Sequence, residues 1–134
     1  AKEALDICND IAVAGAYLHS RGVIHGDLSS NNVLMKTSTS SKGYSCKICD
    51  FGLARVLHGE QSAILTTQIG TVTHMPPEMF SPDAEKVELT TKADVYAAGV
   101  IMWQAMTRTP PFQGLSSPQV VLAISRGARL RLPP

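Results

Sequence analysis

Apolar residues recur at the spacing of one helix face over the first twenty positions. Ala4, Cys8, Ile11, Gly15 and Leu18 form the stripe, and Asp6 and Asp10 fall off it. The spacing predicts a helix over 1–20, ended by Arg21-Gly22, where Gly22 can take the left-handed conformation past the last turn. Short apolar runs at Val23-Ile24 and Val33-Leu34-Met35 read as small strands flanking the polar loop His25 to Asn32. Lys36 to Gly43 is a Ser/Thr-heavy tract expected as an exposed hairpin connection, and Tyr44 to Cys49 reads as the next strand. From Asp50 to Met75 no period holds, which predicts a long loop of the kind that usually serves function. Pro76-Pro77 breaks it, and a short helix is expected from Glu78 to Phe80. Thr91-Lys92-Ala93-Asp94 opens like a capping box. The helix expected from Ala93 to Met106 is apolar nearly all round and belongs in the centre of a core. Ser117 as N-cap, Pro118 at the first helical position and Gly127 bracket a last helix, Pro118 to Arg126. No internal repeat is present.

With 134 residues the chain fits one domain. Its charged fraction, 17%, is below the usual ~25%, so either one large core is present or some faces meet a partner. Twelve Lys/Arg against eleven Asp/Glu leave +1, which carries no electrostatic footprint for nucleic acid. Arg126, Arg129 and Arg131 read as a solvated face. The longest uncharged apolar stretch, Val95 to Thr107, falls short of the ~20 residues that span a bilayer. No secretion signal opens the chain, and a first residue of Ala suggests a piece of something longer.

Three cysteines, Cys8, Cys46 and Cys49, make an odd number and point to a reducing compartment. Cys46-Lys47-Ile48-Cys49 is formally a C-x-x-C. In a strand, three steps of ~3.3 Å set its α-carbons about 10 Å apart, beyond the ~7 Å limit of a disulfide. The odd offset also turns the two side chains to opposite faces, and no second Cys/His pair completes a zinc set. A redox or zinc protein is therefore excluded.

Two loop segments carry acidic and amide side chains suited to phosphates. One is His25-Gly26-Asp27-Leu28-Ser29-Ser30-Asn31-Asn32, and the other is Asp50-Phe51-Gly52, directly after a strand. The series resembles the protein kinase family, whose catalytic loop reads H-R-D-L-x-x-x-N and whose metal loop reads D-F-G. Gly70-Thr71, Met75-Pro76-Pro77-Glu78, Asp94-Val95-Tyr96, Ile101-Met102-Trp103 and Thr109-Pro110-Pro111-Phe112 continue the match in family order. The resemblance covers the whole chain, and it is to the larger lobe only.

It implies an α+β, protein-kinase-like fold. The mainly α-helical large lobe carries short β-strands around the catalytic and metal loops, and the small lobe is absent. Residues 1–134 are then a partial kinase domain, incomplete at both ends. The implied reaction is ATP-dependent phosphoryl transfer to protein Ser/Thr hydroxyls, as part of a complete domain. Asp27 is the implied base, and Asn32 and Asp50 the implied magnesium ligands. Asn32 rather than Asn31 is chosen because it lies five residues after Asp27, the family position. Leu34 and Cys49 would line the adenine site.

By the same resemblance His25 packs against Phe51, Asp94 holds the backbone of the catalytic loop, and Thr71 lies near Asp27. His19, His58 and His74 lack ligand spacing and read as solvated or packed. Thr66 and Thr67 are candidate phosphorylation sites. The implied cofactors are ATP and Mg²⁺. The implied partners are a protein substrate and the missing small lobe, with no nucleic acid and no membrane segment. The implied compartment is the cytoplasm, where ATP and reduced thiols coexist.

Three departures from the family pattern change the expectation. Gly26 stands where most members have the Arg that pairs with a phosphorylated loop, so such phosphorylation is expected to change activity little. Ser29 stands where serine/threonine kinases carry a Lys near the γ-phosphate, and no cation lies between His25 and Asn32. The Gly-rich loop, the strand Lys and its Glu partner do not precede Ala1, and Glu78 lacks the family's late Arg. A non-catalytic, pseudokinase-like or truncated interaction module is the alternative. The loop sequences lean toward the tyrosine-kinase-like branch, which includes many serine/threonine enzymes.

Overall fold

The computed structural model describes residues 2–67, 70–80 and 85–134. Residue 1 of the expected first helix and residues 68 and 69 of the expected long loop lie outside them. Among the described residues, helices and short antiparallel strand pairs are mixed, an α+β arrangement.

Helix α1, Lys2–Ser20, buries Ala4, Cys8 and Ile11, the first half of the apolar stripe. It ends at Arg21-Gly22, with Gly22 at φ +69°. Strand β1, Val23–Ile24, leads into the polar loop. Strands β2, Val33–Thr37, and β3, Tyr44–Ile48, form an antiparallel hairpin with Val33 opposite Ile48 and Thr37 opposite Tyr44. Lys36 and Thr37 belong to β2, so the connecting loop is shorter than the Ser/Thr tract suggests.

The expected irregular stretch contains two strands, and both pair at long range. Strand β4, Arg55–Val56, pairs with β1, and β5, Ile64–Thr66, pairs with β6, Val87–Leu89. Strands this short carry no readable alternation, and partners outside the segment decide their conformation. Short 3₁₀ helices follow at Val72–His74 and at Pro77–Met79, the latter being the short helix expected at Glu78 to Phe80, begun one residue earlier.

Helix α2, Thr91–Thr107, starts earlier than expected. Thr90 is its N-cap and accepts the Lys92 N–H, while Asp94 points into the fold. The helix buries Ala93, Asp94, Ala97, Val100 and Ile101, but Val95, Met102 and Met106 face solvent. Its all-round apolar character therefore exceeds what the described elements cover. Helix α3, Ser117–Ser125, is capped by Ser116 rather than Ser117, in a reciprocal pair with Gln119.

Two cores lie on either side of the polar loop. Ile24, Met75, Met79, Leu89 and Ala93 make one, and Ile11, Leu28, Ala97 and Ile101 make the other. Helix α2 feeds both, because Ala93, Ala97 and Ile101 lie four residues apart along one face. Ile24 precedes His25 and Leu28 follows Asp27, so the loop is strung between two buried anchors. Each such side chain contributes about 1.5–3 kcal/mol by leaving water. No described helix is long and apolar enough to cross a membrane.

Candidate active site

Between its anchors the loop cannot satisfy its own backbone, and Asp94 does so from the start of α2. Its carboxylate accepts the His25 N–H at 2.8 Å, the Gly26 N–H at 3.0 Å and the His19 Nε2 at 2.8 Å. The expected contact of Asp94 with the loop backbone is present. The His19 partnership was not legible, because nothing in sequence spacing links α1 to a residue 75 positions later.

His25 is buried and packs against Phe51, with ring centroids 5.0 Å apart. Its Nδ1 accepts the Asp27 N–H, so Nε2 carries the proton and donates to the Cys49 carbonyl at 2.9 Å. The ring thus ties the polar loop to the strand end before Asp50. A second tie runs from the Cys49 N–H to the Asn32 carbonyl at 2.8 Å.

The Asp27 side chain is held from the far side of the sequence. Thr71 donates both its N–H, at 2.9 Å, and its hydroxyl, at 2.8 Å, to Asp27 Oδ1. Asn32 Nδ2 donates to the Asp27 carbonyl at 2.8 Å and approaches Asp27 Oδ2 at 3.4 Å. These acceptors fix the amide orientation and leave Asn32 Oδ1 as a free hard-oxygen donor. Gly70 makes the close approach of the Thr71 segment possible. A Cβ there would lie 2.7 Å from the Gly26 carbonyl oxygen and 2.9 Å from Asp27 Oδ1. The sequence signal for this was the Gly of Gly-Thr, quoted without a role.

Asp50 is exposed and sits at φ +58°, a left-handed conformation that Asp tolerates better than most residues. Its Oδ1 accepts the Gly52 N–H at 3.3 Å, which leaves carboxylate oxygen free for a cation. Asn32 and Asp50 together offer the amide and carboxylate oxygens that Mg²⁺ prefers, so the donor chemistry fits that ion. Leu34, 56% exposed, and the half-buried Cys49 flank the joined strand ends.

Two hydroxyl residues singled out in the sequence are buried. Ser29 is buried, and its hydroxyl has no hydrogen-bond partner among the described residues. It directly precedes the turn Ser30–Asn32. Thr66 is buried in β5, which leaves exposed Thr67 as the accessible hydroxyl of that pair. Cys8, Cys46 and Cys49 are free thiols, and burial pushes Cys8 and Cys46 above the ordinary thiol range.

Comparison with known proteins agrees with this geometry. The protein kinase domain model matches residues 1–130. A probable LIM domain-containing serine/threonine-protein kinase of Dictyostelium discoideum is 33% identical over 129 residues, 96% of this chain and 18% of that protein. Serine/threonine-protein kinase CTR1 of Arabidopsis thaliana is 35% identical over 136 residues, 98% of this chain and 15% of its own length. Ephrin type-A receptor 7 of Gallus gallus is 33% identical over 125 residues, 92% of this chain and 12% of that receptor. The chain thus spans less than a fifth of each of these relatives. A loop anchored between two cores, with Asp27 held by Thr71 and Asn32, matches the family's motif order along nearly the whole sequence. The chain belongs to the protein kinase family.

Proposed function

We propose that residues 1–134 are the partial large lobe of a serine/threonine protein kinase, which transfers the γ-phosphoryl group of ATP to Ser or Thr hydroxyls of a protein. The supporting observation is the asymmetric environment of the Asp27 carboxylate. Oδ1 is occupied by both Thr71 donors, while among the described residues Oδ2 has only the 3.4 Å approach of Asn32. Oδ2 is then the oxygen that orients the incoming hydroxyl and takes its proton. The hydroxyl oxygen bonds to the γ-phosphorus as the bond to the ADP oxygen breaks.

Asn32 Oδ1 and the Asp50 carboxylate would hold Mg²⁺, which supplies charge neutralisation at the phosphate oxygens when bound. Leu34 and Cys49 form the floor for adenine, and the small lobe of the same domain supplies the roof. Serine/threonine specificity is supported by the Thr71 hydroxyl on Asp27 and by the names of two relatives. The reaction belongs in the cytoplasm, where ATP and reduced thiols coexist.

A non-catalytic interaction module is favoured by one observation: no Lys or Arg lies between His25 and Asn32. Transfer of ³²P from Mg-ATP to casein by the intact parent protein separates the two. The enzyme incorporates label, and Asp27→Asn lowers the rate by about 10²–10⁴ with folding retained. A parent that binds ATP but transfers no phosphate would establish the non-catalytic reading.

A further inference from the structure

His74 stands out among the described residues that the reaction above does not use. It is 5% exposed, and its Nε2 has no hydrogen-bond partner, while Nδ1 lies 2.9 Å from the Thr73 hydroxyl. The ring belongs to the turn Val72–His74, whose closing bond runs from the His74 N–H to the Thr71 carbonyl at 2.9 Å. Thr71 is the residue that clamps Asp27 Oδ1. His74, Thr71, Asp27 and Asp94 line one cavity of about 10 Å³. That is about the room of a single water.

Two titratable groups share that cavity with the ring. Asp94 comes from α2, and its carboxylate is already taken by the His25 and Gly26 N–H groups and by His19. Asp27 comes from the catalytic loop and keeps Oδ2 largely free. Helix α3 also packs against this turn and carries no titratable side chain from Ser117 to Ser125. Glu78 follows in the next turn and does not line the cavity.

We propose that His74 is a positioning residue for Asp27: neutral, it leaves the carboxylate to Thr71 and the substrate, and protonated, it pairs with that carboxylate and withdraws it from use as a base. The proposal rests on Asp27 as the base. An imidazolium at His74 would share its cavity with two carboxylates, and of these Asp27 is the one that keeps an oxygen, Oδ2, with no more than a 3.4 Å approach from Asn32 among the described residues. Burial holds the folded ring below the usual histidine value, and the Asp27 charge opposes this in part. The unfolded chain therefore takes up the proton first as pH falls. Stability is fully present above the unfolded value of about 6.5 and is lost as pH falls toward the lower folded value.

The test is the pH profile of the intact kinase with ATP and a Ser-containing peptide, between about pH 8 and pH 5, for wild type, His74→Phe and His74→Gln. Wild type is expected to lose about three- to tenfold more kcat toward acid than either variant, with KM for ATP following a common curve. A packing role alone lowers the variant rates by one factor at every pH, and that result overturns the proposal. A second measurement does not depend on turnover or on the variants folding. In wild-type protein labelled with ¹³C at the Asp carboxyls and at the His rings, the Asp27 signal is expected to move with the His74 midpoint. An Asp27 signal indifferent to that midpoint overturns the proposal even in an active kinase. An inactive wild type would instead remove the catalytic reading, and the labelled protein would still decide the coupling.

Discussion

The carboxylate of Asp94 accepts the backbone N–H of His25 at 2.8 Å across 69 residues of sequence. With the Gly26 N–H on its other oxygen and His19 beside it, one acidic side chain closes the polar accounts of a loop that has no strand or helix partner there. The start of α2 and the start of the polar loop are thereby one structural unit.

Asp94→Ala leaves the His25 and Gly26 N–H groups and His19 without their acceptor in a buried setting. Leaving such donors unmet costs about 1–3 kcal/mol each, so a loss of about 3 kcal/mol is expected from urea unfolding. Asp94→Asn retains one acceptor oxygen and is expected to lose less. Equal losses for both variants would show that the backbone bonds contribute little.

Gly26 sits at φ +81°, and a Cβ there would lie 2.9 Å from the Leu53 carbonyl oxygen. Both the conformation and the backbone neighbour oppose a side chain. Gly26→Ala is expected to destabilise by about 1–3 kcal/mol and to displace Asp27, the next residue. Thermal unfolding and phosphate-transfer rates of the variant check the two effects separately.

The elements legible in sequence are those decided within one segment. The stripe of α1, the hairpin Val33 to Ile48 and the Pro118 start of α3 each carry a local signal, and each appears within a residue or two of expectation. What stayed hidden was decided by distant partners. Strand β5 exists because Val87–Leu89 lies beside it, and His19 matters because Asp94 reaches it. The proposed site residues are picked out by motif order alone. The surroundings of Asp27 were not legible, since its Oδ1 is occupied by Thr71, 44 positions away. Ser29 shows the same limit: position in a motif said nothing of its burial.

Phosphorylation of exposed Thr67 is expected to change turnover by less than about threefold, because Gly26 offers no guanidinium to pair with a phosphate. Buried Thr66 is expected to be modified more slowly than Thr67. Mass spectrometry of site occupancy, with rates before and after phosphatase treatment, measures both. A large activation that depends on Thr67 would require another cation to do the work of the missing Arg.

Lys42 Nζ donates to both oxygens of Asp10 at 2.8 Å, and the Cys46 N–H donates to Oδ2 of the same carboxylate at 2.9 Å. The hairpin tip is thereby tied to α1. The Lys42 hydrogen bond, then the Cys46 N–H, hold the Asp10 carboxyl below its usual range, and the same pair raises Lys42. The signs follow from linkage. The Asp10 contribution is complete above its unfolded value of about 3.9 and is lost as pH falls through the lower folded value. The Lys42 contribution is complete below its unfolded value of about 10.4 and is lost as pH rises through the higher folded value. Lys42→Met is therefore expected to lower the melting temperature near neutral pH and to leave it unchanged once pH has fallen below the lowered folded value of Asp10, where that carboxyl is protonated in both proteins. Added salt should narrow the neutral gap, because both side chains are partly exposed. Melting curves from pH 2 to 8 that stay parallel for wild type and variant would assign the effect to the Lys42 ammonium over the Tyr44 ring instead.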